Sequence, residues 1–533
     1  MKYIRHFLVR IYRGFLYNIS DLFSSIQVFF GFEPSLIKTS YSALLQWKMG
    51  VSQSDKRKNM KIAIAAIRNY TWIEFAVFAA HYLYKMGCNV LVIYSEKEIE
   101  KLYKNKRILE KFGMNFWTEF MKCEYIEKIK IEQQITEDRT SNDDIKDVID
   151  KLANTIAAYN LRVEEYEEDV EPENYAIELD RCKKMLFKTI PSISGILKEN
   201  QVERILCPSG LIDKSVAFLE ATKQIDMTAI FIEGWAWRPG HLIWSFNQPA
   251  LNYDIKGWIE AIGGWNDTME SDSKEFIQFQ ECQEVSHDDW LKNFHRVQRS
   301  KKISELPQEL KYFIKRKGPK FFMGLNVVGD SATLNRQSIY KNQKEWLQHV
   351  ITYFKKNHNY NLIIRAHPDE VWAKAKVKLG DFALKYAKDS SNIYVVMGDE
   401  NINTYSILDH IDIGLIWLSN IGIDIIIRGK PIILAARSNY ANTGIAEYPQ
   451  TKNEYFSAID KYAKNLIKPT SNEIKLAKLY QRIVFKEMSL EATGKRFNAV
   501  EYRLGNNRMH PDQEKFYKII IGELDPKGNA ING

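Results

Sequence analysis

Hydrophobic and polar positions repeat along this chain in two alternating periods. An apolar run, KIAIAAI (61–67), precedes TWIEFAVFAAHYLYKMG (71–87), whose apolar residues recur at helical spacing and which stops on Gly87. A second β-rich run, NVLVIYS (89–95), follows at once. Strand, helix, glycine stop and strand predict a βαβ unit with a parallel pair. Strand-like runs return at 204–207 and 228–232, with a helical stretch between them, and end in the loops PSG and EGWAWRPG. A second alternating series begins at Lys320, with strands predicted over 320–327, 362–368, 393–398, 412–418 and 431–435. Helical stretches at 341–356, 371–386, 405–410 and 421–429 separate them. The expected fold class is therefore α/β, with two similarly wound Rossmann-like halves.

The remaining segments are polar and helical in period. Residues 96–200 carry an acidic run (Glu164, Glu165, Glu167, Glu168, Asp169, Glu171) and read as a solvated helical face or insertion. Residues 257–319 read as a connector, and 472–488 as a long helix before a polar tail. The predicted organisation is a helical segment at 1–58, an N-terminal domain at 59–256 with its insertion at about 96–200, a linker at 257–319, a C-terminal domain at 320–470, and a helix and tail at 471–533.

Residues 1–32 mix Lys2, Arg5, Arg10 and Arg13 with bulky apolar side chains such as Phe7, Ile11, Phe15, Phe23 and Phe30. Arg10, Arg13 and Asp21 break any secretory apolar core, and no small-residue cleavage site follows. Two readings stand: a basic amphipathic helix on an anionic membrane surface, or a helix docked on the protein's own body. No run of 18 uncharged apolar residues occurs.

Composition narrows the class without deciding it. Lys+Arg number 75 and Asp+Glu 67 in 533 residues, a net +8, and 45% of residues are hydrophobic against 27% charged. That is a globular chain with room for about three domains, and it excludes extensive disorder and collagen-like sequence. Five cysteines without a CxxC pair point to a reducing compartment, here the cytoplasm, with the N-terminal helix as the route to the inner face of the membrane. The positive charge is spread along the chain rather than run together with aromatics, so nucleic acid is not expected as a partner.

Several chemistries lack their motifs. There is no GxGxxG, GxxxxGK[ST], HExxH or DxD, so dinucleotide, P-loop and zinc-protease readings fall, and neither a metal nor a cofactor is expected. Three constellations remain. In FIEGWAWRPG (231–240), Glu233 follows an apolar strand beside Gly234, with Trp235, Trp237 and Arg238 close behind. A carboxylate there suits general-base work or attack on an anomeric carbon, and indole faces stack on sugars. The alternative is a helix-capping Glu233 with tryptophans filling an interface.

In LIIRAHPDE (362–370), Arg365, His367 and Pro368 close an apolar strand. Their cationic and N–H groups can bind phosphate oxygens and stabilise a leaving phosphate; a purely structural loop histidine is the alternative. In GLIWLSNIGIDIIIRGKP (414–431), a strand, Ser419, Asn420 and Gly422 lead into a helix with Asp424 in its first turn, and Lys430 with Pro431 opens the next strand. That order aims backbone N–H groups and a hydroxyl at an anion. Asp424 then either bonds a ribose or serves as a first-turn acid favoured by the helix dipole.

The order of these motifs over about residues 200–450 resembles the capsule polysaccharide biosynthesis family, the Kdo transferases of bacterial capsule export, and more distantly bacterial sialyltransferases. The matching positions are Glu233-Gly234 with Arg238-Pro239, Arg365 to Pro368 where the family has Lys-x-His-Pro, Asn403 to Ser406, Ser419 to Asp424, Gly429 to Pro431, Tyr440 and Gly444. Asn420 replaces a usual Ser or Thr, and Asp424 a Glu common in other enzymes of this fold. The resemblance implies a GT-B-like fold, two Rossmann-like doubly wound domains facing a cleft. It implies a glycosyltransferase that moves a Kdo- or sialic-acid-like sugar from a CMP-sugar donor to a surface glycan or glycolipid. By the same resemblance Glu233 is the catalytic carboxylate, with His367 also at the reaction centre. Arg365, His367, Pro368, Ser419, Asn420, Gly422, Asp424 and Lys430 serve the donor, and Trp235, Trp237 and Arg238 the acceptor. A nucleotide-sugar epimerase of the same architecture and a non-catalytic glycan-binding protein are the rival readings.

Overall fold

The computed structural model describes residues 60–524 apart from 69, 105–116, 118–119, 135–142, 165–169, 235–240, 254, 283–305, 372–374 and 492–510. The basic segment 1–58 and the Trp235, Trp237 and Arg238 loop thus lie outside the described residues. The chain divides into two compact units, one drawn from Met1–Thr140, Phe187–Ile232 and Glu491–Ile520, the other from Ser141–Leu186, Glu233–Leu490 and Ile521–Gly533.

The first sheet has the order β12-β6-β5-β4-β1-β2-β3. Its strands are β1 (Lys61–Ala66), β2 (Asn89–Tyr94), β3 (Glu127–Lys130), β4 (Arg204–Pro208), β5 (Thr228–Gly234), β6 (His241–Phe246) and β12 (Ser489–Glu491). β1 pairs in parallel with β2 and β4, β2 with β3, and β4 with β5. The predicted βαβ unit is present, with helix α1 (Tyr70–Lys85) crossing from β1 to β2.

The second sheet is wholly parallel, in the order β11-β10-β7-β8-β9, from β7 (Lys320–Gly324), β8 (Asn361–Arg365), β9 (Ile393–Val396), β10 (Ile413–Ile416) and β11 (Ile432–Leu434). Relative to its first strand the winding matches that of β1 to β5. The chain builds outward on one side, then crosses back to build on the other. This is the doubly wound α/β architecture of the GT-B-like expectation.

Alternating side chains of the second sheet feed two separate cores. Phe321, Met323, Leu362, Ile364, Ile413 and Leu415 pack with Trp346, Val350 and Phe354 of helix α5 (Gln343–Lys356) and with helix α8 (Lys452–Asn465). Phe322, Ile363, Val396, Ile416 and Ile432 face the opposite core, with helices α7 (Ile421–Ile427) and α9 (Ser471–Arg482). A parallel sheet covered on both faces needs apolar residues at every position, which is why these strands read as unbroken runs.

Two expectations change at this level. Phe276 of helix α3 (Glu270–Cys282) joins the second core with Leu310 and Phe313 of helix α4 (Gln308–Ile314), so the supposed connector 257–319 supplies part of a hydrophobic core. Its polar surface positions hid a sparse apolar face. The acidic run is also not uniformly solvated. Glu164 is buried and accepts from the Gln343 backbone N–H at 2.8 Å and from Gln343 Nε2 at 2.6 Å. A carboxylate at the first residue of α5 satisfies N–H groups that have no partner within the helix and meets the positive end of its dipole.

The rest of that stretch holds the loop after β7. Helix α2 (Asp143–Leu161) contributes Thr155, whose hydroxyl accepts from Asn335 Nδ2 at 2.5 Å. Arg162 Nη1 donates to Gly329 O at 3.2 Å. Gly329 has a φ of +72°, and a Cβ there would stand 2.8 Å from the Arg162 backbone, so glycine is required for the approach. Glu164→Ala is expected to lower unfolding stability by about 2 kcal/mol, the cost of leaving a buried N–H unmatched. Urea denaturation checks this, and a loss below ~0.5 kcal/mol would make the contact incidental.

Candidate active site

In a doubly wound sheet, ligands bind at the carboxyl ends of the strands, where the winding reverses. In the second sheet the reversal lies between β7 and β10, and β8 borders β7 on its other side. Three loops meet this edge: the one leaving Gly324, the one carrying Ala366 to Pro368, and the one carrying Ser419 and Asn420. A Cβ on Gly324 would lie 3.4 Å from Ile421, so strand end and helix start pack closely.

The Ser419-Asn420 loop is set from beneath by tyrosines. Tyr440 Oη donates to Ser419 O at 2.7 Å, and Tyr480 Oη donates to Asn420 Oδ1 at 3.0 Å. Tyr253 and Tyr480 hydroxyls meet at 2.6 Å, and all three rings are buried. Burial raises the Tyr440 phenol well above its ordinary pKa, so it stays a donor. Ser419 Oγ accepts from the Ile421 N–H at 3.3 Å, which starts α7. Any side chain at Gly422 would run into Tyr440 Oη, so this position must be glycine for the ring to reach the loop.

His367 has a defined proton position. Its Nδ1 accepts from the Asp369 N–H at 3.2 Å, so in the neutral ring the proton sits on Nε2. Burial, helped by the Arg365 charge, lowers its pKa to about 4, which keeps the ring neutral at pH 7. The side chain retains 35% of its exposure, leaving a polar edge accessible. A neutral Nε2–H is a hydrogen-bond donor that brings no buried charge.

Three other expected donor residues serve the interior instead. Arg365 is 3% exposed and donates to Met397 O and, at 3.4 Å, to Ile402 O. It braces the loop after β9, and burial depresses its pKa to about 10. Asp424 is 1% exposed and accepts from Tyr405 Oη at 3.3 Å, the side of α7 turned inward, so the first-turn-acid reading prevails over the ribose. Lys430 precedes β11 and donates to Leu408 O at the end of helix α6 (Thr404–Leu408). In a parallel sheet that position is the amino-end edge, opposite Ser419, so it cannot meet the same phosphate.

Residues 278–473 match the family described as Capsule polysaccharide biosynthesis protein. That segment of the chain is similar to the capsule polysaccharide biosynthesis family. The capsule-biosynthesis segment holds all five strands of the second sheet, with His367, Pro368, Ser419, Asn420 and Gly422, and leaves Glu233 outside. Among solved structures, Thermosulfurimonas dismutans KpsC, beta Kdo 2,7 transferase, is 14% identical, with 54% of this chain and 80% of that one covered and a TM-score of 0.32. The beta Kdo 2,4 transferase of the same KpsC is also 14% identical, over 57% and 88%, with a TM-score of 0.35. UDP-GlcNAc 2-epimerase from Neisseria meningitidis is 11% identical over 80% and 99%, with a TM-score of 0.27. No curated protein matches the chain.

Two carboxylates of the capsule-biosynthesis segment enter the site without having been singled out from sequence. Asp330 lies in the loop after β7 and accepts from the Ala332 N–H at 3.2 Å. Asp369 follows the His-Pro pair, with Oδ1 buried and without a hydrogen-bond partner. Burial, then the nearby charge of Asp330, pushes the Asp369 carboxyl up to about 7. Glu233 is half-buried at the end of β5, and its charge bears in turn on Asp330. Strand-end position alone would have flagged Asp369, two residues past His367, whereas Asp330 had no local signal.

The folded chain thus holds a proton on Asp369 that an unfolded carboxyl, at 3.8, releases. Between about pH 4 and 7 the folded state binds more protons, so stability falls as pH rises through that window and levels off above it. Asp369→Asn removes this dependence. Melting temperatures of parent and variant should therefore diverge in the variant's favour from about pH 4 to pH 8, and a constant difference would rule out the bound proton.

Proposed function

We propose that this protein is a glycosyltransferase of capsule or cell-surface polysaccharide synthesis, moving a Kdo- or sialic-acid-like sugar from a CMP-sugar donor to a glycan or glycolipid acceptor. The observation that carries this reading is that His367-Pro368 and Ser419-Asn420 stand at the carboxyl ends of the two strands flanking β7, inside the capsule-biosynthesis segment.

In this reading the His367 Nε2–H and the Ser419 hydroxyl take the donor phosphate, with Pro368 against the nucleotide and Gly422 admitting the Tyr440 ring that sets the loop. Asn420 holds the loop through Tyr480. Glu233 accepts the proton of the acceptor hydroxyl as its oxygen bonds to the anomeric carbon. The bond from that carbon to the phosphate oxygen breaks, and CMP leaves with the electron pair. Charge growing on the phosphate meets fixed N–H and O–H dipoles, which stabilise it without reorganising. Trp235, Trp237 and Arg238 receive the acceptor. No metal takes part, and the basic segment 1–32 holds the enzyme at the cytoplasmic face of the membrane.

Melting temperatures with CMP, UDP, GDP and ADP test the donor, since a ligand selective for the native state stabilises it by mass action. A shift with CMP alone, abolished in His367→Ala, is expected; a UDP or GDP shift would replace the donor, and none at all would favour a binding protein. Glu233→Gln is expected to slow transfer on the order of 10²-fold or more with donor affinity intact. Undiminished transfer removes Glu233 from the chemistry, and donor turnover without acceptor would favour the epimerase.

A further inference from the structure

The edge of the second sheet opposite the candidate site is built differently. A groove of about 560 Å³ opens at the amino ends of β7 and β8, walled by Arg316, Lys317, His358 and Lys464, and among the described residues no carboxylate lines it. Three helices, α4, α5 and α8, end beside it, carrying Lys315, Lys356 and Lys464 at or next to their last turns. Helix dipoles favour lysines at such ends, which accounts for part of the charge. Two further observations go beyond that.

First, the cationic loop is fixed rather than trailing. Buried Asn361 accepts from Arg316 Nε at 2.9 Å and donates from Nδ2 to Lys317 O at 2.8 Å. Gly318, at a φ of +91°, lies so close to Asn359 O that no side chain fits there. Second, the edge exposes large apolar side chains. Leu466, two residues past Lys464 at the left-handed end of α8, is 55% exposed, and Tyr312, one turn before Arg316, is 66% exposed. They are two of the three exposed large hydrophobics among the described residues.

We propose that this edge is a docking surface for an anionic phospholipid bilayer. Headgroup phosphates enter the groove against Arg316, Lys317 and Lys464, while Leu466 and Tyr312 sit at the boundary of headgroups and acyl chains. Basic residues attract anionic lipid, and apolar or amphipathic side chains add area that only a membrane rewards. A soluble polyanion would use the charges and ignore Leu466. The proposal uses none of residues 1–32 and does not depend on the transferase reading. Its position keeps the Ser419 edge off the bilayer by at least a strand length, roughly 17 Å for five residues, which suits an acceptor glycan standing away from its lipid.

Flotation of the full chain with phosphatidylcholine vesicles, with and without phosphatidylglycerol, tests this. Binding to the phosphatidylglycerol vesicles alone is expected. Each basic residue near such a surface strengthens binding roughly fivefold, so the double variant Lys317→Glu/Lys464→Glu should weaken it on the order of 10²-fold. Leu466→Ala/Tyr312→Ala should weaken vesicle binding severalfold and leave heparin binding unchanged. Unaltered melting curves of both variants show that the fold survives. Undiminished flotation of the charge-reversed variant overturns the proposal. So does vesicle binding indifferent to the apolar pair, which would assign the groove to a soluble polyanion or free phosphate.

Discussion

The two-sided burial of parallel strands is the constraint on which this structure rests. A strand covered on both faces leaves no side chain free for chemistry along its length, as the burial of every residue from Asn361 to Arg365 illustrates. Function is forced to the strand ends. Parallel pairing then puts all the carboxyl ends of a sheet on one edge, and the return crossing from β9 to β10 opens a crevice beside β7. His367 and Ser419 are neighbours because β8 and β10 flank β7, although more than fifty residues of chain separate them.

A second layer of polar residues makes that edge rigid. Arg365 ties the end of β8 to the loop after β9, the Tyr253, Tyr440 and Tyr480 cluster carries the turn at Ser419, and Glu164 with Arg162 holds the loop after β7. These groups lie in the interior, where an unmet donor or acceptor is costly, so each bond fixes a loop position strongly. Preorganised loops matter for stabilising developing charge, because dipoles already in place need no reorganisation during the reaction. The electrostatics follow the same division. Burial keeps His367 neutral and raises the Asp369 carboxyl to about 7, so the edge meets an anionic ligand with a neutral N–H donor and with one carboxylate partly discharged near neutrality.

The periodic part of the fold is legible in the order of residues. Apolar runs at 61–67, 89–95, 320–327 and 412–418 could be read as parallel strands, because burial on both faces demands an unbroken apolar run, and the positions of His367 and Ser419 at strand ends followed from that. Which polar residues turn outward is settled by packing. Arg365, Asp424 and Lys430 have the composition of ligand-binding residues, yet their side chains are claimed by Met397 O, Tyr405 and Leu408 O, partners 19 to 32 residues away in the chain. Asp330 and Glu164 acquire their roles from segments more than thirty residues distant, and Phe276 and Leu310 reach a core that no local pattern announced. Periodicity is a property of neighbours along the chain and survives in the sequence. The partner of a polar side chain is a property of the packed fold, set when distant segments close over it.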